Sequence, residues 1–361
     1  MDSPRARPPG SMNWHRVLWH EFVHVVTLQK THNRIPRWLS EGISVYEEVR
    51  GDSSWGQRLD PDFKAVADES IPTVEELEAY FIQPPSQEHL LFGYFAAGEF
   101  VRFYADAYGD AALVRSLEDI GAGRNALEAL SAVGGQPLAI VNLRFRRHLE
   151  ERLAPLAHLP DSTDAADDAP FSRALLQGDR AAQAGNLDAA ESAYLEAHDL
   201  YPDYVSDDAP LRLLARLYKE NDLPQRYLET LQRIVSRDPT AYEEGLEAAT
   251  LLAAHQRWGE AASVLQRTAQ IVPFHIPLLT NRADYLIAAG DLDAAVLQLR
   301  KVLYLDPARG PRHRLQLART LAQQGATPAA KSEVIALLEE MPSFWDAQQL
   351  LLEIVEGSDQ P

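Results

Sequence analysis

The sequence predicts an all-α fold in two parts, and three observations carry that prediction. From Pro202 onward, prolines recur at Pro239, Pro273, Pro307 and Pro342, with spacings of 37, 34, 34 and 35 residues. Before residue 160, apolar residues recur at helical spacing, and no convincing two-residue alternation marks a strand. Turn and cap signals fall between these apolar stretches rather than inside them.

Residues 1–12 are rich in Pro and Arg, lack an apolar segment of the kind that opens a signal peptide, and are expected to have no fixed structure. Residues 13–30 form an amphipathic helix, with Asn13 as N-cap and Trp14, Val17, Leu18, Phe22, Val25 and Val26 as its apolar positions. Pro36 opens a second helix through Trp38, Leu39, Ile43, Val45 and Tyr46. Residues 51–72 form a loop-rich excursion. Thr73 with Glu76 is a capping box opening a third helix towards Phe81, which Pro84 and Pro85 end. A longer helix runs from about Leu90 to Tyr108 and closes at Gly109, and two further helical segments reach Leu153. The Pro-, Asp- and Ala-rich stretch 154–169 is expected to be a linker.

Beyond it, each proline closes a unit whose middle holds a turn and a new helix start, as in Gly185-Asn-Leu-Asp-Ala-Ala190 and Gly290-Asp-Leu-Asp-Ala-Ala295. A helix–turn–helix period of this length resembles the tetratricopeptide repeat. About five such repeats span 170–342, with a capping helix and tail at 343–361. One hairpin cannot bury its own apolar face, so neighbours must stack into a solenoid. Ala190, Ala261, Ala295 and Ala330 fit where helices come close. The array implies a protein partner on its surface.

Composition narrows the chemistry. The chain has 361 residues and no cysteine, which excludes disulfides, thiolate catalysis and Cys-held zinc. Any metal must be held by His, Asp or Glu. Lys and Arg number 34 against 53 Asp and Glu, a net charge of −19 that argues against nucleic acid as a partner. No apolar run is long enough to span a membrane.

The segment that carries chemistry is Trp19-His20-Glu21-Phe22-Val23-His24. Two histidines four residues apart share one helix face, so both imidazoles can reach a single Zn²⁺ at about 2.0–2.1 Å. Glu21 lies beside them, close enough to take a proton from water at the ion. This is the H-E-x-x-H arrangement of zinc peptidases. Such a site needs a third protein ligand and an open position. Glu41 is the candidate, 17 positions beyond His24, which leaves room for the first helix to end and a second to pack back. Gly42 has no side chain, so the second helix is expected to approach the first closely.

Together with Ile35-Pro-Arg-Trp-Leu-Ser-Glu41-Gly42, the segment Trp14–Glu48 resembles the gluzincin-type, peptidase MA-like family. The stretch from Gly93-Tyr94-Phe95 to Tyr108-Gly109 resembles that family's following helix. The resemblance covers roughly residues 13–150 and implies His20, His24 and Glu41 as zinc ligands, Glu21 as general base, and hydrolysis of a peptide or protein substrate. It also implies a downstream Tyr or His as oxyanion donor. Tyr94 is the candidate, with a helix-packing role as its alternative, and His89 is a weaker one. Glu48 could orient a ligand histidine, and Trp38 is expected in the core. His15, His32, His198, His255, His275 and His313 are not expected to be ligands.

The family places a β-sheet ahead of the H-E-x-x-H helix. Only about a dozen residues stand there in this sequence. The expectation is a helical remnant of a gluzincin-type domain lacking its upstream sheet, or a sequence cut short at its start that could have lost an export signal; the compartment is therefore unknown. Two other readings remain open, a catalytically impaired repeat scaffold with a vestigial peptidase-like domain and a metal-dependent hydrolase of a non-peptide amide.

Overall fold

The computed structural model describes residues 4, 6–160, 169–307 and 310–358. The interior of the expected linker and parts of both expected tails lie outside these residues. No strand occurs among them, and no single helix is long and apolar enough to cross a membrane.

The front of the chain is built from α1 (Trp14–Lys30), α2 (Arg37–Gly51), α3 (Phe63–Glu69), α4 (Ala79–Ile82), α5 (Gln87–Tyr108), α6 (Asp110–Gly121), α7 (Ala126–Gly134) and α8 (Leu138–Leu153), closed by a short 3-10 turn at Ala154–His158. Boundaries follow local chemistry. Pro36 caps α2 at φ −67°. Ser86 accepts the His89 N–H to cap α5, and Gly109, at φ 84°, ends it. The Thr73 N–H donates to Glu76 Oε2 at 2.8 Å, half of the expected capping box, yet the helix there covers only Ala79–Ile82. Between Gly109 and Leu153 there are three helices rather than two, because Gly135, in a left-handed conformation at φ 64°, separates α7 from α8.

α5 is the hub. Phe92, Phe95, Phe100 and Tyr104 are fully buried along it. Trp38 of α2 meets Phe100 edge-on at 5.2 Å, as does Phe145 of α8. Offset and edge-on aromatic pairs of this kind are favourable beyond their buried area. α2 lies against α5 through small residues. A Cβ on Gly42 would sit 2.5 Å from the Ala97 carbonyl oxygen, and one on Gly98 would sit 2.6 Å from Val45 Cγ1. The close approach that Gly42 permits is therefore to α5, not to α1 as expected.

The first helix departs from expectation as well. Leu18, Phe22, Val25 and Val26 are 46–59% exposed, so the apolar stripe read from sequence is not the buried face. The inward face carries Arg16, His20, Val23, His24 and Thr27, four of them polar. These side chains find partners on α2, so hydrogen bonds rather than apolar matching decide which face turns inward.

The hairpins follow as α9 (Pro170–Gln183) with α10 (Leu187–Leu200), α11 (Pro210–Glu220) with α12 (Pro224–Arg237), α13 (Tyr242–Ala254) with α14 (Trp258–Ile271), α15 (Ile276–Ala289) with α16 (Leu292–Leu305), and α17 (Gly310–Gln323) with α18 (Thr327–Glu340). α19 (Trp345–Ser358) closes the array. Each hairpin turns through a left-handed residue, namely Gly185, Asp222, Gln256, Gly290 and Gly325. Ala190, Ala261, Ala295 and Ala330 are all fully buried, as small residues at close approaches should be.

Contacts divide the chain into two compact units. One is His15–Asp238; the other is Pro239–Pro361 with Met1–Trp14. In the first unit a continuous core joins α2, α5 and α8 to Phe171, Ala174, Ala197 and Tyr201 of the first hairpin. The Tyr201 hydroxyl donates to the Leu59 carbonyl at 2.7 Å, and both partners are buried. In the second unit the core is an apolar stack including Leu299, Leu317, Leu321, Val334 and Leu337. There Asn13 donates its side-chain amide to the Pro239 carbonyl at 3.0 Å.

Candidate metal centre

α1 and α2 present polar stripes to each other. On α1, Arg16, His20, His24 and Thr27 follow one another at helical spacing. On α2, Arg37, Ser40, Glu41, Ser44 and Glu48 do the same. Both imidazoles point their Nε2 atoms at one oxygen: His20 Nε2 and His24 Nε2 each lie 3.2 Å from Glu41 Oε2. The two rings stand 4.8 Å apart, nearly perpendicular. The ligand atoms of His20, His24 and Glu41 all lie within 4.8 Å of one another, a group that could hold a metal ion.

The outer ring nitrogens are anchored too. His20 Nδ1 donates to Glu48 Oε1 at 2.8 Å, and Arg16 Nε donates to Glu48 Oε2 at 3.1 Å. His24 Nδ1 is 2.9 Å from Ser40 Oγ, and Ser44 Oγ lies 3.4 Å from the same nitrogen. Such outer partners fix ring orientation in metal sites. Glu48 is 2% exposed, so the anchor is buried behind the half-buried ring it holds.

Electrostatics follow from this geometry. Burial alone would lower the His20 pKa, but hydrogen bonds to Glu41 and Glu48, with their charge, raise it to about 9. Burial would raise the Glu41 pKa, but hydrogen bonds and charge from His20 and His24 hold it well below the usual carboxylate range. Glu41 is therefore an anion flanked by two ring nitrogens, the charge state a cation requires.

Arg37 Nε lies 3.4 Å from Glu41 Oε1. Tyr94, on α5, lies beside Arg37 and Glu41, and its pKa is raised by burial and by the Glu41 charge. It meets Phe81 edge-on at 5.0 Å, so it has a packing contact as well as polar neighbours. Glu21 is exposed on α1, next to His20. His89 is elsewhere, with Ser86 Oγ at 2.9 Å and Glu69 at 3.4 Å as its partners. Among the repeat histidines, His275 caps α15 by accepting from the Leu278 N–H.

Two nitrogens and a carboxylate are a donor set that Zn²⁺ takes while keeping a fourth position open. The residues present therefore fit the group. Ser40, Ser44, Arg37 and Arg16 were not singled out from the sequence. Their signal is helical spacing alone: each lies a turn or two from a ligand or from Glu48 on the same helix.

A helical domain with an H-E-x-x-H face, followed by helical hairpins, is the class that this fold and site define. Residues 8–151 match the family model described as Peptidase MA superfamily. The chain thus carries a peptidase MA-like domain followed by tetratricopeptide-like repeats. No curated protein matches the sequence. Among solved structures, a MamA protein is 20% identical over 47% of this chain and 91% of that one, with a TM-score of 0.30. The thermophilic TPR protein TTC0263 of Thermus thermophilus is 24% identical over 51% and 98% of the two chains, with a TM-score of 0.27.

Proposed function

We propose that this protein is a zinc-dependent metallopeptidase whose repeats hold a protein partner or substrate. The observation that carries the reading is the convergence of His20 Nε2 and His24 Nε2 on one Glu41 oxygen at 3.2 Å each, with the far side of both rings anchored. His20, His24 and Glu41 would hold the ion. Bound zinc would supply Lewis acidity, polarising a peptide carbonyl and making water at the site easier to deprotonate.

The chain's own residues do the rest. Glu48 and Ser40 keep the rings aimed inward, so little reorientation is needed when a cation arrives. Glu21 takes a proton from water at the site and delivers it to the leaving amine. The Tyr94 hydroxyl, whose pKa is pushed further up by burial and by the Glu41 charge, is a donor for developing negative charge on the carbonyl oxygen. Arg37 holds the Glu41 carboxylate from the other side, through its second oxygen.

The runner-up is a repeat scaffold with an inactive front domain. The exposed Leu18, Phe22, Val25 and Val26 favour it, since no peptide-holding element covers that face among the described residues. Metal analysis and hydrolysis of a peptide library separate the two readings. Wild type should carry one zinc per chain, Glu41→Gln should carry much less, and Glu21→Gln should keep zinc while losing hydrolysis. Wild type free of zinc after growth in zinc-supplemented medium would reject the peptidase; zinc without cleavage of any peptide would favour the scaffold.

A further inference from the structure

A second polar constellation, which includes neither of the paired histidines, lies in the same compact unit. Arg58, Arg102, Arg152 and Arg237 line one cavity of about 400 Å³, with Ser54 and Trp55. The lining comes from five segments brought together by folding: the stretch after α2, α5, α8, the α10–α11 connection and the end of α12. Four guanidinium groups around one cavity stand out in a chain whose net charge is −19.

The carboxylates behind these arginines are shared. Glu99 lies 3.3 Å from Arg152 Nε, 3.7 Å from Arg102 Nη1 and 2.9 Å from His148 Nε2. Asp238 takes Arg212 at 2.8 Å and Arg58 at 3.8 Å. Four arginines and one carboxylate, Asp203, line the cavity itself, with Asp52 behind Ser54 and Glu99 and Asp238 behind the arginines. The Arg58 pKa is lowered by burial, and by the charges of Arg16 and Arg212, against the pull of Asp238 and Asp203. Trp55 Nε1 and Arg152 Nε are buried and make no hydrogen bond, the Glu99 contact of Arg152 being an ion pair without hydrogen-bond alignment. Both are N–H groups left without an aligned acceptor.

We propose that this cavity binds a phosphate-bearing small molecule, a role separate from the metal centre. A phosphoryl group brings two negative charges at neutral pH and three acceptor oxygens. Guanidinium forks match its geometry, and Trp55 Nε1 supplies a single donor, the Ser54 hydroxyl being taken by Asp52 at 2.7 Å. The volume exceeds that of a phosphate alone and falls in the range of small-ligand sites, so an organic group accompanies the phosphate. The polar lining leaves no place for a lipid tail; a lipid could present only its headgroup.

The test uses the full chain and pyrophosphate as probe, titrated by calorimetry at fixed ionic strength. The expected result is one saturable site per chain, not displaced by chloride at the same ionic strength. Arg237→Gln, at an exposed position at the end of α12, should weaken it at least about tenfold, the equivalent of one lost charge-assisted contact, and Arg237→Glu should abolish it. Zinc content should be unchanged in both variants, which keeps this result independent of the peptidase reading. Vesicles containing a phosphoinositide form a second arm: binding to them and not to pyrophosphate, lost in Arg237→Gln, assigns the phosphate to a headgroup. Absence of saturable binding in both arms, or equal binding by wild type and Arg237→Glu, overturns the proposal.

Discussion

Replacing Gly42 by Ala tests whether the close approach of α2 to α5 is what sets the position of Glu41. The new Cβ would stand 2.5 Å from the Ala97 carbonyl oxygen and 2.8 Å from its carbonyl carbon, whereas ordinary contact begins at 3.4 Å. The shortfall is about 0.9 Å. Both sides of the clash are helix backbone, so no rotamer change relieves it, and the helices must part or slide. Overpacking of this kind costs about 1–3 kcal/mol, against a gain of up to about 1 kcal/mol from alanine's better helix propensity. The net expectation is a loss of about 1–2 kcal/mol, seen as a lower urea midpoint in circular dichroism with a chelator present. Because Glu41 is the adjacent residue, zinc affinity measured by competition with a chromophoric chelator should fall as well. Gly259→Ala on α14 is the internal control: its Cβ meets nothing within 4 Å, so the same change there should be neutral or stabilising. A Gly42→Ala protein with unchanged midpoint and unchanged zinc affinity would refute the reasoning.

Other outcomes follow from named contacts. Glu48→Gln keeps the shape of the His20 anchor but removes its charge, and should cost about 10–100-fold in zinc affinity by the same competition assay. The raised His20 pKa has a signed consequence. In zinc-free protein the His20–Glu41–Glu48 contacts add stability that is fully present below the unfolded value of 6.5 and is lost as pH rises through about 9. Zinc must displace that proton, so its affinity should climb with pH up to about 9; a flat profile between 6 and 9 refutes this. His198 runs the other way. Burial, then the charges of Arg237 and Arg233, lower its pKa to about 4. Folded protein refuses a proton that the unfolded chain accepts near 6.5, so stability is intact above 6.5 and declines as pH falls towards 4, by on the order of 3 kcal/mol. His198→Gln should lack that part of the acid slope in urea unfolding.

The repeats were the most legible part of the sequence because a solenoid repeats its local solution: one left-handed residue per hairpin and one buried alanine per close approach. Gly290 and Ala295 show both in six residues. The convergence of His20, His24 and Glu41 was legible because a motif of metal-binding residue types restricts type and spacing together. What spacing could not supply was the direction each helix faces. The stripe Leu18, Phe22, Val25 looks like a core face by hydropathy, but the hydrogen-bond partners of His20 and His24 sit on α2 and turn the polar face inward. Gly42 likewise marked a close approach without naming the neighbour. The arginine cavity was not legible at all: its side chains lie at positions 58, 102, 152 and 237, and only the tertiary fold makes them neighbours.

The seam closed by Tyr201 and Leu59 bears on how the peptidase-like region can be studied by itself. Phe171 and Tyr201 are 5% and 0% exposed because the front helices and the first hairpin share one apolar interior. Cutting the protein after α8 would strip that shared wall and present bare aromatic-lined surface to water, an invitation to aggregate rather than a minimal hydrolase. A fragment retaining both leading hairpins, through Asp238, keeps the wall intact and is where trimming for biochemical work should stop.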